Sequence, residues 1–172
     1  MQAGADAPYA FDMTLVYHTP LSAAQQAVAG VDPVQPLAMA DRVRFSELDV
    51  LNHVNNKTYF EWFERLRIRY SQDWGISNYA GRAGSPRIVI RSGAIHYRHE
   101  MHMDEDYIAT CRCSEFRTNS YTLKQQVWSA GTLRATFDCV LVLLKPDGSG
   151  KFAIPDLIRD RFVAVDGAAQ KG

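Results

Sequence analysis

The sequence predicts an α+β layer fold, one five-stranded antiparallel sheet packed on one main helix. Three observations carry this. Tyr59, Trp62, Phe63, Leu66 and Tyr70 recur at helical spacing, giving a broad apolar stripe with bulky side chains. Four runs rich in β-branched and aromatic residues follow, Arg87 to His99, Tyr107 to Arg117, Tyr121 to Trp128 and Leu133 to Leu144. The links "RTNS" and "SAGT" between the last three runs have the lengths of hairpin loops. A strand, a helix and then hairpin-joined strands must bury one sheet face against that helix.

Taken in order, residues 1–37 differ from the rest. They contain no Lys or Arg and are rich in Ala, Pro and Gln, so they read as an N-terminal extension packed on a core domain. Within them "SAAQQAVAG" is expected to form a short helix, capped by Ser22 and ended by Gly30. "VDPVQP" then reads as a linker. "AMADRVRFSE" ends in an alternating run that puts Val43 and Phe45 on one face of a first strand. The main helix starts at a cap on Asn55 or Asn56 and stops at Gly75, after Trp74. In the last long strand Leu133, Ala135, Phe137 and Cys139 share one face. "KPDGSGK" is a turn, because it lacks the spacing of a phosphate loop. The core domain is expected over residues 38–165, with a flexible tail at 166–172.

Composition narrows the function. Nineteen basic residues balance nineteen acidic ones, so no global field points to nucleic acid or an anionic membrane. The longest apolar runs, such as "CVLVLL", are far too short for a membrane span. The first residues carry no positively charged segment ahead of an apolar stretch, and the three cysteines are too few and odd for a disulfide framework. A reducing cytoplasm is the expected location. Cys111 and Cys113 lack a second pair and read as small core residues rather than a metal site. His96, His99 and His102 invite a metal reading, but residues three apart on a strand point to opposite faces, so the first two do not converge, and no metal is expected.

Between the first strand and the helix lies "ELDVLNHVNN", holding two carboxylates, one histidine and three asparagines. Polar turns of this kind can be purely structural, since Asp and Asn side chains bond nearby backbone amides. A second reading uses the unpaired amides and partial positive charge of a helix N-terminus, which suit a developing oxyanion. Asp49 lies four residues before His53 and seven before Asn56. A carboxylate so placed can act as base or nucleophile opposite those amides, an arrangement suited to attack on an ester or thioester carbonyl.

The stretch "RFSELDVLNHVNNKTYFEWFERLR" resembles hotdog-fold acyl-CoA thioesterases of the 4-hydroxybenzoyl-CoA thioesterase type. The resemblance is carried by Arg44, Phe45, Glu47, Asp49, His53, Val54, Asn55, Asn56, Tyr59, Phe63, Glu64 and Arg67. It departs from that pattern at Asn52, where many relatives have Gly, at Glu100 in place of Pro, and at Glu47 in place of the commoner Asp. The resemblance implies a hotdog fold, with the sheet wrapped on a long central helix. It implies Asp49 as catalytic base or nucleophile and His53 as a group that orients water, substrate or the loop itself. Backbone amides at Asn55 and Asn56 are implied to bind the thioester oxygen. It further implies an acyl-CoA substrate, no cofactor beyond the CoA of the substrate, and a homodimer or homotetramer. Arg91, Arg98 and Arg117 are candidates to hold CoA phosphates, and Glu64 is expected to pair with Arg67. Two other functions fit the same fold: an enoyl-CoA hydratase or dehydratase, and a non-catalytic acyl-binding protein in which Asp49 only shapes the turn.

Overall fold

The computed structural model describes residues 15–77 and 85–172. Helix α1 (Ala23–Val28) precedes strand β1 (Leu37–Arg42). A 3-10 turn (Phe45–Glu47) leads to helix α2 (Asn56–Asp73). Strands β2 (Arg87–Tyr97), β3 (Asp106–Phe116), β4 (Ser120–Ser129) and β5 (Thr132–Leu144) follow, then helix α3 (Asp156–Asp166) and a two-residue strand β6 (Ala169–Gln170). The five longer strands form one antiparallel sheet in the order β1-β3-β4-β5-β2. The β4–β5 loop is Ala130–Gly131, with φ of 48° and 70°. Two successive positive φ values give a primed turn, whose twist matches the strands it joins.

One face of the sheet carries α2. The helix begins because Asn55 caps it, its side chain accepting from the Lys57 amide at 3.1 Å. It ends at Trp74, and Gly75 takes the left-handed conformation with φ 74°. Its buried stripe holds Tyr59, Trp62, Phe63, Leu66 and Tyr70, the residues the helical spacing singled out. Trp62 stacks on Tyr107 of β3 at 4.0 Å and Phe63 on Phe137 of β5 at 5.5 Å. A polar pin fixes the same contact. Gln125 of β4, fully buried, donates to the Phe63 carbonyl at 2.8 Å and accepts from Arg67 at 3.3 Å.

The other face of the sheet is covered by the segment before β1. Leu21 and Val31 pack with Ala38, Ala40, Ile108 and Trp128 in a second, smaller apolar cluster. Backbone bonds from His18 to Ala40 and from Leu21 to Ala38 fasten this segment to β1. Helix α1 carries a capping box between Ser22 and Gln25. Gly30 (φ 81°) sits against Gly131 so closely that a Cβ there would lie 2.6 Å from the Gly131 Cα. Residues 1–14 of the extension lie outside the described residues.

The structure departs from the sequence reading at five points. Strand β1 stops at Arg42 and the chain turns into the 3-10 segment, so Val43 is buried whereas Phe45 is 79% exposed; the two do not share a face. Helix α3 has no counterpart among the expected elements. Its signals are nonetheless local: Ile158 and Phe162 are buried one turn apart, Pro155 precedes the first turn, and Gly167 follows in the left-handed conformation. Residues 166–172, expected as a flexible tail, are bonded to the sheet. Strand β6 pairs in parallel with Glu115 and Phe116, Lys171 donates to the Phe116 carbonyl, and Arg117 donates to the Gly172 carbonyl at 2.6 Å. The sheet therefore has a short sixth strand beyond the five expected. Finally, Arg67 does not pair with Glu64; it turns inward to Gln125 and lies over the Phe137 ring at 5.7 Å.

Candidate active site

The polar turn folds as a short antiparallel loop closed by a bridge between Leu48 and Val54. Two backbone bonds build it, from Asp49 to the His53 carbonyl at 2.9 Å and from Asn52 to the Asp49 carbonyl at 3.1 Å. Asn52 has φ 64°, a left-handed conformation that Asn tolerates better than most non-glycine residues. The Val54 amide bonds to Met101 and the Asn55 amide to Glu47, which ties the loop to its neighbours on both sides.

This loop presents Asp49 in a defined pose. One carboxylate oxygen accepts from the Leu51 amide at 2.8 Å. The other faces His53, whose Nδ1 lies 3.4 Å away. Both side chains are partly exposed, at 23% and 29%. They open onto a depression of about 500 Å3 lined also by Val54, Asn56, Tyr59, Tyr97, Arg98, His99 and Glu100. Burial pushes the Tyr59 phenol up to about 12, so it is a neutral group at ordinary pH. Tyr97 packs edge-on to Tyr59 and donates to the Asn56 carbonyl at 3.4 Å.

The amides at the start of α2 are not equivalent. Asn55 donates to the Glu47 carbonyl, Lys57 to the Asn55 side chain, and Thr58 to the Asn55 carbonyl. The Asn56 amide has no acceptor among the described residues. The structure thus brings Asp49, His53 and Asn56 to one depression and assigns Asn55 to capping the helix. Of the cationic candidates for CoA phosphates, Arg98 lines this depression and Arg91 and Arg117 do not.

Sequence reasoning gave no site role to Glu47, Tyr97 or His99. Tyr97 and His99 reach the site only because β2 lies across the sheet from β1 and ends beside the start of α2, a placement that no local pattern encodes. Cysteine chemistry has no place in the site. Cys111, Cys113 and Cys139 are buried, and burial raises each thiol well above its ordinary range, so none is a thiolate. Among the described residues, no three His, Cys, Asp or Glu side chains converge as metal ligands.

The fold and this loop define a class: an antiparallel sheet laid on one helix, with a carboxylate loop at that helix's N-terminus. The thioesterase-like superfamily model matches residues 43–162, and the chain belongs to that superfamily. Its architecture is the hotdog type. A thioesterase-superfamily structure from a Jannaschia species is 38% identical, with a TM-score of 0.83, over 89% of this chain and 97% of that one. A Thermus thermophilus thioesterase, solved in complex with coenzyme A and Zn, is 28% identical, with a TM-score of 0.66, over 77% and 96% of the two chains. A gentisyl-coenzyme A thioesterase structure at 15% identity and a TM-score of 0.64, over 73% and 98%, shares the fold. No curated protein matches the chain.

Proposed function

We propose that this protein hydrolyses an acyl-CoA thioester to a free acid and CoA. Asp49 acts as general base toward water, or attacks the carbonyl carbon directly. The thioester oxygen, gaining negative charge as the carbonyl becomes tetrahedral, accepts from the Asn56 amide at the positive end of α2. As the C–S bond breaks, the CoA sulfur leaves as thiol with the proton that Asp49 drew from the attacking water; in direct attack the thiolate leaves first, and water then cleaves the acyl–Asp49 anhydride, giving the free acid, the restored carboxylate and the proton for the thiolate. His53 holds the second oxygen of Asp49 in place. Arg98, which lines the depression, is the candidate for a CoA phosphate.

The single observation behind this reading is the shared depression. A partly exposed carboxylate and an uncommitted helix-start amide belong to residues that line it together. Superfamily membership and the coenzyme A complex of the Thermus thermophilus relative support the substrate class. The chemistry as drawn needs neither metal nor cofactor. One observation favours a rival: the bond from Leu51 to Asp49 is also what a purely structural turn would use, as in a non-catalytic acyl-binding protein. Turnover of an acyl-CoA panel by wild type and Asp49→Asn separates the two. Hydrolysis lost with the charge supports the enzyme; acyl-CoA binding without turnover in the wild type supports the rival.

The same reading includes a homodimer or homotetramer. Strand β2 is an eleven-residue sheet edge whose Ile90 and Tyr97 are exposed, and it ends at the depression. Pairing with a second copy would cover that edge. Light scattering that finds only a 19.4 kDa species at micromolar concentration contradicts it. A reducing cytoplasm fits three buried, unpaired cysteines.

A further inference from the structure

We infer that Glu47 is a positioning residue for the hydrolysis, setting the distance between the Asp49 loop and the start of α2; this rests on the reading just given. Glu47 is the residue on which the two halves of the site meet. Its side chain is 12% exposed and both carboxylate oxygens are used. Oε2 accepts from the Arg44 amide at 2.8 Å, where the chain leaves β1. Oε1 accepts from the Trp62 indole at 2.9 Å, on the second turn of α2. Its backbone carbonyl accepts from the Asn55 amide at 2.9 Å and from the Thr58 hydroxyl at 3.2 Å. Four bonds thus converge on one residue, two positions before Asp49, from the strand exit, the helix cap and two turns of the helix.

The geometry makes this carboxylate more than a fold anchor. The Asp49 loop is closed on itself by the Leu48–Val54 bridge, so it moves as a unit. Glu47 precedes it and Asn55, bonded back to Glu47, follows it. Any shift of Glu47 relative to Trp62 moves the Asp49 carboxylate relative to the Asn56 amide. The base and the oxyanion donor must be held together at near-attack geometry, and a displacement of about 1 Å can cost on the order of 100-fold in rate. The depression itself is lined by other residues, so affinity for the substrate does not depend directly on Glu47.

The charge state of the contact gives a specific test. Every group facing the carboxylate is an N–H donor: the Arg44 amide at Oε2, the Trp62 indole at Oε1, and the Arg44 guanidinium, whose nearest nitrogen stands 3.7 Å from Oε1. Glu47→Gln keeps one acceptor oxygen and turns the other into a donor facing a donor. Trp62→Phe removes the indole donor while leaving an aromatic ring against Tyr107. The expected result is that Glu47→Gln lowers kcat by about 10- to 100-fold with KM within about twofold of wild type. Adding Trp62→Phe to Glu47→Gln should recover part of that loss, because the amide oxygen accepts from the Arg44 amide and the indole no longer opposes the amide NH2, which then faces the Arg44 guanidinium alone. Glu47→Asp, which keeps both oxygens, should retain more activity than Glu47→Gln. An Asp49→Asn control is run beside them. If Asp49→Asn lowers kcat and Glu47→Gln does not, the positioning role is overturned while the hydrolase reading stands. If Glu47→Gln lowers kcat but Trp62→Phe deepens the loss, or KM rises in step, Glu47 serves stability or binding and the inference is likewise overturned. Should Glu47→Gln fail to fold, Trp62→Phe alone decides: a lowered kcat at unchanged KM supports the role, and wild-type turnover overturns it.

Discussion

The Tyr70 hydroxyl donates to Asp166 at 2.5 Å, and the Trp74 indole donates to the same carboxylate oxygen at 2.9 Å. Two donors, one on α2 and one at its C-terminal cap, therefore hold the last residue of α3, while the second Asp166 oxygen is buried with no partner among the described residues. Burial pushes the Asp166 carboxyl up to about 6, outweighing the Tyr70 and Trp74 bonds, the nearby Cys113 backbone amide and Arg112, which lower it. The other groups around it are the neutral thiols of Cys111 and Cys113 on β3.

A pH dependence follows. The folded state holds the Asp166 proton up to about pH 6, whereas an unfolded Asp releases it near 3.9. Between those values the folded state binds more protons, so this group's contribution to stability falls as pH rises from about 4 to 6. The change is on the order of 2 to 3 kcal/mol. Chemical denaturation of wild type and Asp166→Asn across that range isolates it. The stability difference, wild type minus variant, should fall as pH rises; a flat difference contradicts the burial argument.

Gln125 pins α2 to the sheet through Phe63 and Arg67. Gln125→Leu matches the volume closely but leaves a buried guanidinium without its acceptor. We expect a loss on the order of 2 to 4 kcal/mol, well above an ordinary polar-to-apolar exchange. The midpoint and slope of urea unfolding measure it. A loss below about 1 kcal/mol means that Arg67 finds another acceptor.

Gly30→Ala tests the strap on the outer face of the sheet. Its positive φ and the 2.6 Å approach to the Gly131 backbone leave no room for a methyl group. The variant should lose at least about 1 kcal/mol, read as a lower Tm, with kcat unchanged because the strap lies on the face opposite α2. An unchanged Tm would show that this segment contributes nothing to stability.

Much of this architecture was legible in the chain. The α2 stripe, its Asn55 cap and the Gly75 stop depend on residues a few positions apart, and the structure has all three. The inward set of β5 was readable for the same reason from Ala135 on, with Ala135, Phe137 and Cys139 all buried in the main core, whereas Leu133, expected on the same face, is only partly buried and packs in the smaller cluster. Phe45 misled because alternation alone cannot reveal that a strand ends a few residues earlier. The folded tail was hidden because β6 is two residues long and its partner, β3, lies more than fifty positions back. At the site, Asp49, His53 and Asn56 sit within one short loop, so local motif reading could gather them. Glu47 was noted only as a substitution for Asp; its role emerges when Arg44 and Trp62 are seen to meet on it.

His53→Ala should reduce turnover less than loss of the Asp49 charge does. Its ring stands 3.4 Å from the carboxylate and acts on it rather than replacing it. A decrease below about tenfold in kcat is expected, against the roughly 100-fold or greater effect of losing a general base. Steady-state kinetics on the best acyl-CoA checks this. A larger loss from His53→Ala than from Asp49→Asn would reassign the base to His53.

The central claim is that the Asp49 charge performs the chemistry. Asp49→Asn keeps the side-chain size and the acceptor for the Leu51 amide but removes that charge. The decisive measurement is kcat of this variant on the best acyl-CoA, with Tm taken on the same sample. The account predicts a fall in kcat of at least about 100-fold with Tm close to wild type. A folded Asp49→Asn protein that turns over at close to the wild-type rate would contradict it.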